Sequence, residues 1–319
     1  MPMPTPRIAG LHHVTAIATD PRRNVTFYTR TLGLRLVKKT VNFDDPKTHH
    51  LYFGDQHGHP GTILTFFPWP RAHRSDRGAG QVMATAFAVP VGSLGFWYRH
   101  LRSHGVAVDT PKQRFGRERL TFLDPDGLEL QLVAAADAAV APASGGSRIP
   151  AHVAIRGLEG VRLLLAEWRA TASLLTEVLG FRAGAQEGVA RRFYAGEGLS
   201  QASIDLVHDP EADPHALGAG TVHHVAWRVA DDPAQHAWQE HLRDAGLEVT
   251  PVLDRSYFRS IYFREPGGVL FEIATDPPGF TRDEPLASLG ETLQLPSWLE
   301  PQRAEIEAAL PPLDEPKED

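Results

Sequence analysis

Apolar residues along this chain follow two alternating periods. Residues 8–19 are rich in β-branched and apolar residues, and they predict a strand. From Pro21 to Leu32 the period changes. Val25, Phe27, Tyr28 and Leu32 keep a rough helical spacing and Gly33 follows as a stop, so a helix is expected. Residues 34–42, 49–53 and 62–67 return to a strand pattern, with a turn over residues 54–61. The unit is β-α-β-β-β. A second copy places a strand at 81–89, a helix at 94–104 before Gly105, and a closing hairpin around Asp124-Pro125-Asp126-Gly127. A third begins at Ala151, with its helix near Leu163 to Leu179 before Gly180. A fourth begins at Thr221, with its helix near Pro233 to Ala245 before Gly246. It closes on a hairpin around Glu265-Pro266-Gly267-Gly268.

This repeat organises the chain. His13, Ala84, His152 and His224 align as one position in the four first strands, at intervals of 71, 68 and 72 residues. A unit this small cannot close its own core, so the units should pair. The expected fold is α+β, four βαβββ modules forming two paired-module clefts. Along the chain, residues 8–133 hold the N-terminal pair, 134–149 a linker rich in Ala, Ser, Gly and Pro, 150–275 the C-terminal pair, and 276–319 an extension. Within the extension, Trp298 to Leu310 reads as an amphipathic helix, expected to pack on the body rather than act as a lid.

The closing strands align in the same way. Glu272 lies four residues after Gly268, Gln131 four after Gly127 and Thr65 four after Gly61; in the third unit Ala202 and Asp205 compete. Only pairing unit one with unit four gathers His13, His224 and Glu272. Pairing two with three gathers His152 and Gln131, which is no metal site. One live cleft and one dead one are therefore expected. Two His and one carboxylate on one face of a metal leave positions open for substrate and O₂, a pattern that suits non-haem Fe(II). Thr65 at the fourth corner does not ordinarily ligate, which favours oxygen chemistry over Lewis-acid isomerisation.

Composition narrows the classes. The net charge of −7 argues against a nucleic-acid binder, and 42% hydrophobic with 22% charged residues suits a globular chain. No cysteine is present, so disulfides and thiolate ligands are excluded. Residues 1–10 show no apolar leader segment and no run of eighteen apolar residues occurs, so a cytoplasmic protein off the membrane is expected.

With the modules and ligands in place, the chain resembles the vicinal oxygen chelate superfamily of glyoxalases and extradiol dioxygenases. Within it, the chain is similar to the ring-cleaving hydroquinone 1,2-dioxygenase type. The residues carrying this are Leu-His-His-Val-Thr at 11–15, Val-Asn-Phe-Asp-Asp-Pro-Lys-Thr-His-His-Leu-Tyr-Phe-Gly-Asp at 41–55 and Val-His-His-Val-Ala-Trp at 222–227. Residues 255–263, 266–272 and 289–296 also match. The resemblance implies His13, His224 and Glu272 as Fe(II) ligands; the sequence leaves the choice between Fe(II) and Mn(II) open. It implies His12, Thr15, His223, Arg255 and Tyr262 as residues behind the ligands or against substrate, an aromatic diol and O₂ as reactants, and an oligomer as compatible. Where the type has Tyr-His before Leu-Tyr, this chain has His49-His50. The competing readings are a glyoxalase-type metal-dependent isomerase or lyase, and a non-catalytic binding or resistance protein on the same fold.

Overall fold

The computed structural model of the chain describes residues 7–75, 77–139, 148–198 and 201–313. Residues 140–147 of the expected linker and the last six of the extension lie outside the described residues. The first module contains β1 (Leu11–Ala18), α1 (Pro21–Thr26), β2 (Arg35–Asn42), β3 (Asp45–Gly54) and β4 (Ile63–Pro68). The second contains β5 (Gln81–Pro90), α2 (Leu94–Ser103), β6 (Lys112–Arg114), β7 (Arg117–Leu123) and β8 (Glu129–Ala135). The third contains β9 (Gly157–Leu165), α3 (Arg169–Ser173), β10 (Arg182–Glu187), β11 (Ala190–Ala195) and β12 (Ala202–His208). The fourth contains β13 (Val222–Val229), α4 (Asp232–Asp244), β14 (Leu253–Asp254), β15 (Arg259–Arg264) and β16 (Leu270–Thr275), and α5 (Arg303–Ala309) follows in the extension.

The modules pair across the chain, one with four and two with three, as the ligand alignment requires. Two curled eight-stranded sheets result, ordered β14-β15-β16-β13-β1-β4-β3-β2 and β10-β11-β12-β9-β5-β8-β7-β6. First strands meet antiparallel at each centre, β1 with β13 and β5 with β9, while each fourth strand runs parallel to its own first strand. The architecture is the expected α+β fold of four modules and two clefts.

Central strands are covered on both faces. In β1 every residue is buried. Val14, Ala16 and Ala18 join the core with Tyr28, Leu51, Phe53 and Phe66, on the side of the helix. Alternation then sends His13 and Thr15 to the opposite, concave face. Local sequence sets the helix between strands. The Asp20 side chain accepts from the Arg22 and Arg23 amides, Pro21 starts α1, and a π turn over Phe27–Thr31 carries the chain to Gly33, which turns out at φ 73°.

Two expectations for the third module need correction. Leu163 to Leu165 belong to β9, and the helix begins only at Arg169. A centrally buried strand reads as a continuous apolar run, which periodicity cannot tell from a buried helix. His152 lies in an exposed turn before β9 and is not its ligand-equivalent position. The short edge strands β6, β10 and β14 were not expected. Lys112–Arg114 and Arg182–Glu187 carry almost no buried residue, so they leave no apolar signal.

The extension packs on the outside of the β2–β3 hairpin. Leu295, Leu299 and Ile306 cluster on Val41, and the Gln294 amide donates to the Lys39 carbonyl at 2.9 Å. No helix among the described residues is long and apolar enough to cross a membrane.

Candidate metal centre

β1, β13 and β16 lie side by side, and their concave faces bring three groups to one point. His13 Nε2 lies 3.3 Å from His224 Nε2 and 3.4 Å from Glu272 Oε2, and His224 Nε2 lies 3.0 Å from Glu272 Oε2. All three side chains are buried. Glu272 Oε2 makes no well-formed hydrogen bond despite this crowding, while Oε1 accepts from Ser260 Oγ. Three ligand atoms converging on one another around an unsatisfied carboxylate oxygen fit a cation, since a buried anionic oxygen otherwise needs donors. Burial opposes ionisation of Glu272, but the neighbouring His13 and His224 hold its carboxyl well below the usual range. Burial lowers the basicity of His224, favouring the neutral imidazole a metal requires.

Each ligand-type histidine is braced by the histidine before it. His13 Nδ1 lies 2.9 Å from His12 Nδ1, and His224 Nδ1 lies 2.8 Å from His223 Nδ1. A ligand imidazole using Nε2 carries its proton on Nδ1, so His13 and His224 donate to His12 and His223. The proton of His12 and of His223 then sits on Nε2. Burial lowers His12 well below its ordinary value and takes His223 down to about 3, so both are neutral.

Beside the triad is a cavity of about 180 Å³, lined among others by Phe67, Phe258, His223, Arg255 and Tyr262. A dry cavity of roughly 150 Å³ is enough for benzene, so a single aromatic ring fits here. Tyr262 stands directly across the β15–β16 ladder from Glu272, the symmetry about Gly267 read from the sequence. Arg255 Nε donates to the Tyr262 hydroxyl at 3.3 Å, and its Nη1 reaches Asp44 at 3.5 Å. Burial and the charge of Glu272 push the Tyr262 phenol up, keeping it protonated. Thr15 lies opposite His224 on one side and Thr65 on the other. Of the eight residues expected at the site, His13, His223, His224, Arg255 and Tyr262 line this cavity, Glu272 and Thr15 lie beside them on neighbouring strands, and His12 sits behind His13.

Sequence reasoning missed part of the wall. His50, Tyr52, Phe67 and Phe258 line the cavity, with Asn42, Phe43 and Asp44 at the β2–β3 turn. The available signal was parity. His50 and Tyr52 alternate with buried Leu51 and Phe53, so they share the concave face.

The pseudosymmetric cleft of modules two and three differs at every corner. Its register places Ala84 where His13 stands, Gln131 at Thr65, Gly160 at His224 and Asp205 at Glu272. Asp205 is neutralised by Arg192, which holds the place of Tyr262 and donates from Nε and Nη2 at 2.6 and 2.9 Å. A second group of potential ligands, Asp55, His57 and His59, lies in the β3–β4 turn. There Asp55 already accepts from both histidine amides at 3.0 Å and pairs with His59 Nδ1 at 2.6 Å, so it shapes the turn.

Comparison with known proteins follows this geometry. The chain is 46% identical over 305 residues to MhqO of Bacillus subtilis, provisionally named a ring-cleaving dioxygenase, covering 96% of each. It is 35% identical to the chlorohydroquinone/hydroquinone 1,2-dioxygenase of Sphingobium indicum, covering 94% of this chain and 95% of that protein. The crystal structure of a provisionally assigned dioxygenase from Bacillus subtilis superposes with a TM-score of 0.92 at 45% identity, over 97% of this chain and 98% of that one. Glyoxalase I from Zea mays shares the fold at a TM-score of 0.61 and 16% identity, over 84% of this chain and 92% of that one. The profile of the Glyoxalase/Bleomycin resistance protein/Dioxygenase superfamily matches residues 10–132 and 160–273, and the chain belongs to that superfamily.

Proposed function

We propose that this protein is an Fe(II)-dependent ring-cleaving dioxygenase acting on a hydroquinone-type aromatic diol, with His13, His224 and Glu272 as the metal ligands. The observation that carries this reading is a three-ligand corner beside an aromatic-lined cavity of about 180 Å³. The fourth corner is closed to coordination: the Thr65 hydroxyl is engaged by His50 at 2.7 Å and Thr15 at 3.1 Å. Three protein ligands leave room for a diol oxygen and O₂ together. Bound iron would supply the electron transfer between ring and O₂.

The protein's own residues favour the diol as its anion. His223 Nε2–H donates into the cavity, because its Nδ1 already accepts from His224. The Tyr262 oxygen accepts from Arg255, which leaves its O–H to donate. Arg255 adds a fixed positive charge. These donors stabilise negative charge on substrate oxygen. Phe67 and Phe258 supply apolar walls for the ring.

Relatives named for ring-cleaving and hydroquinone dioxygenase activity support the reading. The test is anaerobic loading with Fe(II), then O₂ uptake against a panel of hydroquinones and catechols. One O₂ consumed per ring opened is expected, with hydroquinones preferred. Conversion of a hemithioacetal without O₂ uptake would instead select a glyoxalase-type isomerase.

A further inference from the structure

Four side chains, two of them lining the cavity, form one hydrogen-bonded line. The Tyr52 hydroxyl lies 2.8 Å from His50 Nδ1, His50 Nε2 lies 2.7 Å from Thr65 Oγ1, and Thr65 Oγ1 lies 3.1 Å from Thr15 Oγ1. Tyr52, Thr65 and Thr15 are buried, and the His50 ring is held between Tyr52 and Phe67 at centroid distances of 4.0 and 4.3 Å. Both nitrogens of His50 are therefore committed. A neutral imidazole has one donor and one acceptor, so His50 accepts at one of its two contacts and donates at the other; with each hydroxyl donating once along the line, only two directions are open. Either Tyr52 donates at one end and Thr15 is left with a free O–H, or the reverse holds and Tyr52 is left with one.

We infer that the line runs from Tyr52 through His50 and Thr65 to Thr15, making His50 a positioning residue that aims the Thr15 hydroxyl, as a donor, into the metal cleft. Two observations set the direction. Burial holds the Tyr52 phenol protonated, and a phenol is a stronger donor than acceptor. The silent cleft repeats the contact with unambiguous polarity. Arg119 occupies the place of His50 and donates from Nη1 to Gln131 Oε1 at 3.0 Å, and Gln131 occupies the place of Thr65. Arginine has no acceptor, so there the donor must sit on the third strand of the module. Thr15 shares the concave face with His13 and sits opposite His224, which places its side chain beside the ligand residues. A hydroxyl fixed as a donor there recognises an anionic oxygen, either of the diol or of reduced O₂. This step rests on the proposed dioxygenase reading, while the polarity of the line does not.

Two measurements separate them. The first uses the metal-free full-length protein. Long-range ¹H–¹⁵N spectra, with His50 assigned by difference from His50→Gln, should show the proton on Nε2 and a bare Nδ1. Tyr52→Phe should abolish that preference. A proton on Nδ1 in the wild type would overturn the inference whatever the enzyme does. The second uses the Fe(II)-loaded protein and isosteric pairs. Thr65→Val removes the hydroxyl without changing volume and should lower kcat/KM roughly tenfold, the worth of about one hydrogen bond. Thr65→Ser should restore it, and Thr15→Val with Thr65→Val should lose no more than either alone. Equal rates for Thr65→Val and wild type would sink the positioning role. Absent O₂ uptake in a wild type that shows the expected tautomer would sink the dioxygenase reading and leave the polarity standing.

Discussion

Glu272 combines two environments that ordinarily exclude each other, full burial and ionisation. Ser260 donates to its Oε1, His13 and His224 favour its ionisation, and its Oε2 stays unsatisfied. Substituting Gln keeps the shape and removes the charge that a divalent cation needs. Glu272→Gln should therefore retain the fold, lose most bound iron and lose nearly all turnover, as read by metal analysis and O₂ uptake. Normal iron content in that variant would remove Glu272 from the ligand set. The histidines make a second expectation at this scale. Burial lowers the pKa of His12, His50, His223 and His224 below the ordinary 6.5. The unfolded chain binds protons at these groups more readily than the folded one, so folding stability falls as pH drops below 6.5 and continues to fall toward the folded values. Depressed Glu272 acts in the same sense at lower pH. Asp124, raised to about 6 by burial, opposes the trend over a narrower range. Urea midpoints of the metal-free protein should decline from neutral pH into mild acid, and a flat profile would show that these imidazoles are not buried neutral. The repeat made His13, His224 and Glu272 legible in the sequence because the two histidines hold one position of the recurring first strand and Glu272 lies four residues after the turn glycine Gly268. His50 was not legible as a positioning group, since its partners come from β1 and β4 and nothing local to it names them.

At the scale of elements, the silent cleft shows how a duplicated unit is closed. Asp205 stands at the carboxylate corner, yet Arg192 faces it across the β11–β12 ladder and turns a ligand into half of a buried ion pair. Removing Arg192 leaves buried Asp205 with Arg162 at 3.9 Å as its remaining cationic partner, and breaking a buried pair typically costs about 3–5 kcal/mol. Arg192→Ala should accordingly lower the denaturation midpoint sharply, with little change in iron bound per folded chain. If iron binding fell in parallel among the molecules that remain folded, the two clefts would be coupled. The cleft should also resist restoration. A Cβ on Gly160 would lie 2.2 Å from the Ser203 carbonyl oxygen, so Gly160→His is barred by backbone rather than by chemistry. The sequence could not show this. The strong run from Val161 to Leu165 hid the start of β9, and the nearest histidine, His152, stood in for a position that a glycine holds.

At the scale of the molecule, the site is split between the two halves of the chain. His13 and Thr15 enter the first sheet from its N-terminal half, while His224, Tyr262 and Glu272 enter from its C-terminal half. The second sheet is built in the same crossed manner through β5 and β9. The pairing was legible because only one choice of partners collects a metal site. The contacts that bind the sheets to each other were not, because they join residues far apart in the chain with no pattern that pairs them, such as Leu158 N to Gly61 O at 2.8 Å and the Tyr28 hydroxyl to Asp124 at 2.9 Å. Crossed pairing predicts the result of cutting the chain between residues 139 and 148. A protease site placed there and cleaved in the folded, iron-loaded protein should give two fragments that co-elute on gel filtration and keep their metal, since each fragment supplies half of both central β ladders. Separated in denaturant, neither fragment should bind iron at the affinity of the whole, because one carries a single histidine of the triad and the other a histidine and the carboxylate. Mixing the fragments under refolding conditions should restore binding together with co-elution. Fragments that part on cleavage, with iron remaining on one of them, would mean that the modules pair within each half in solution.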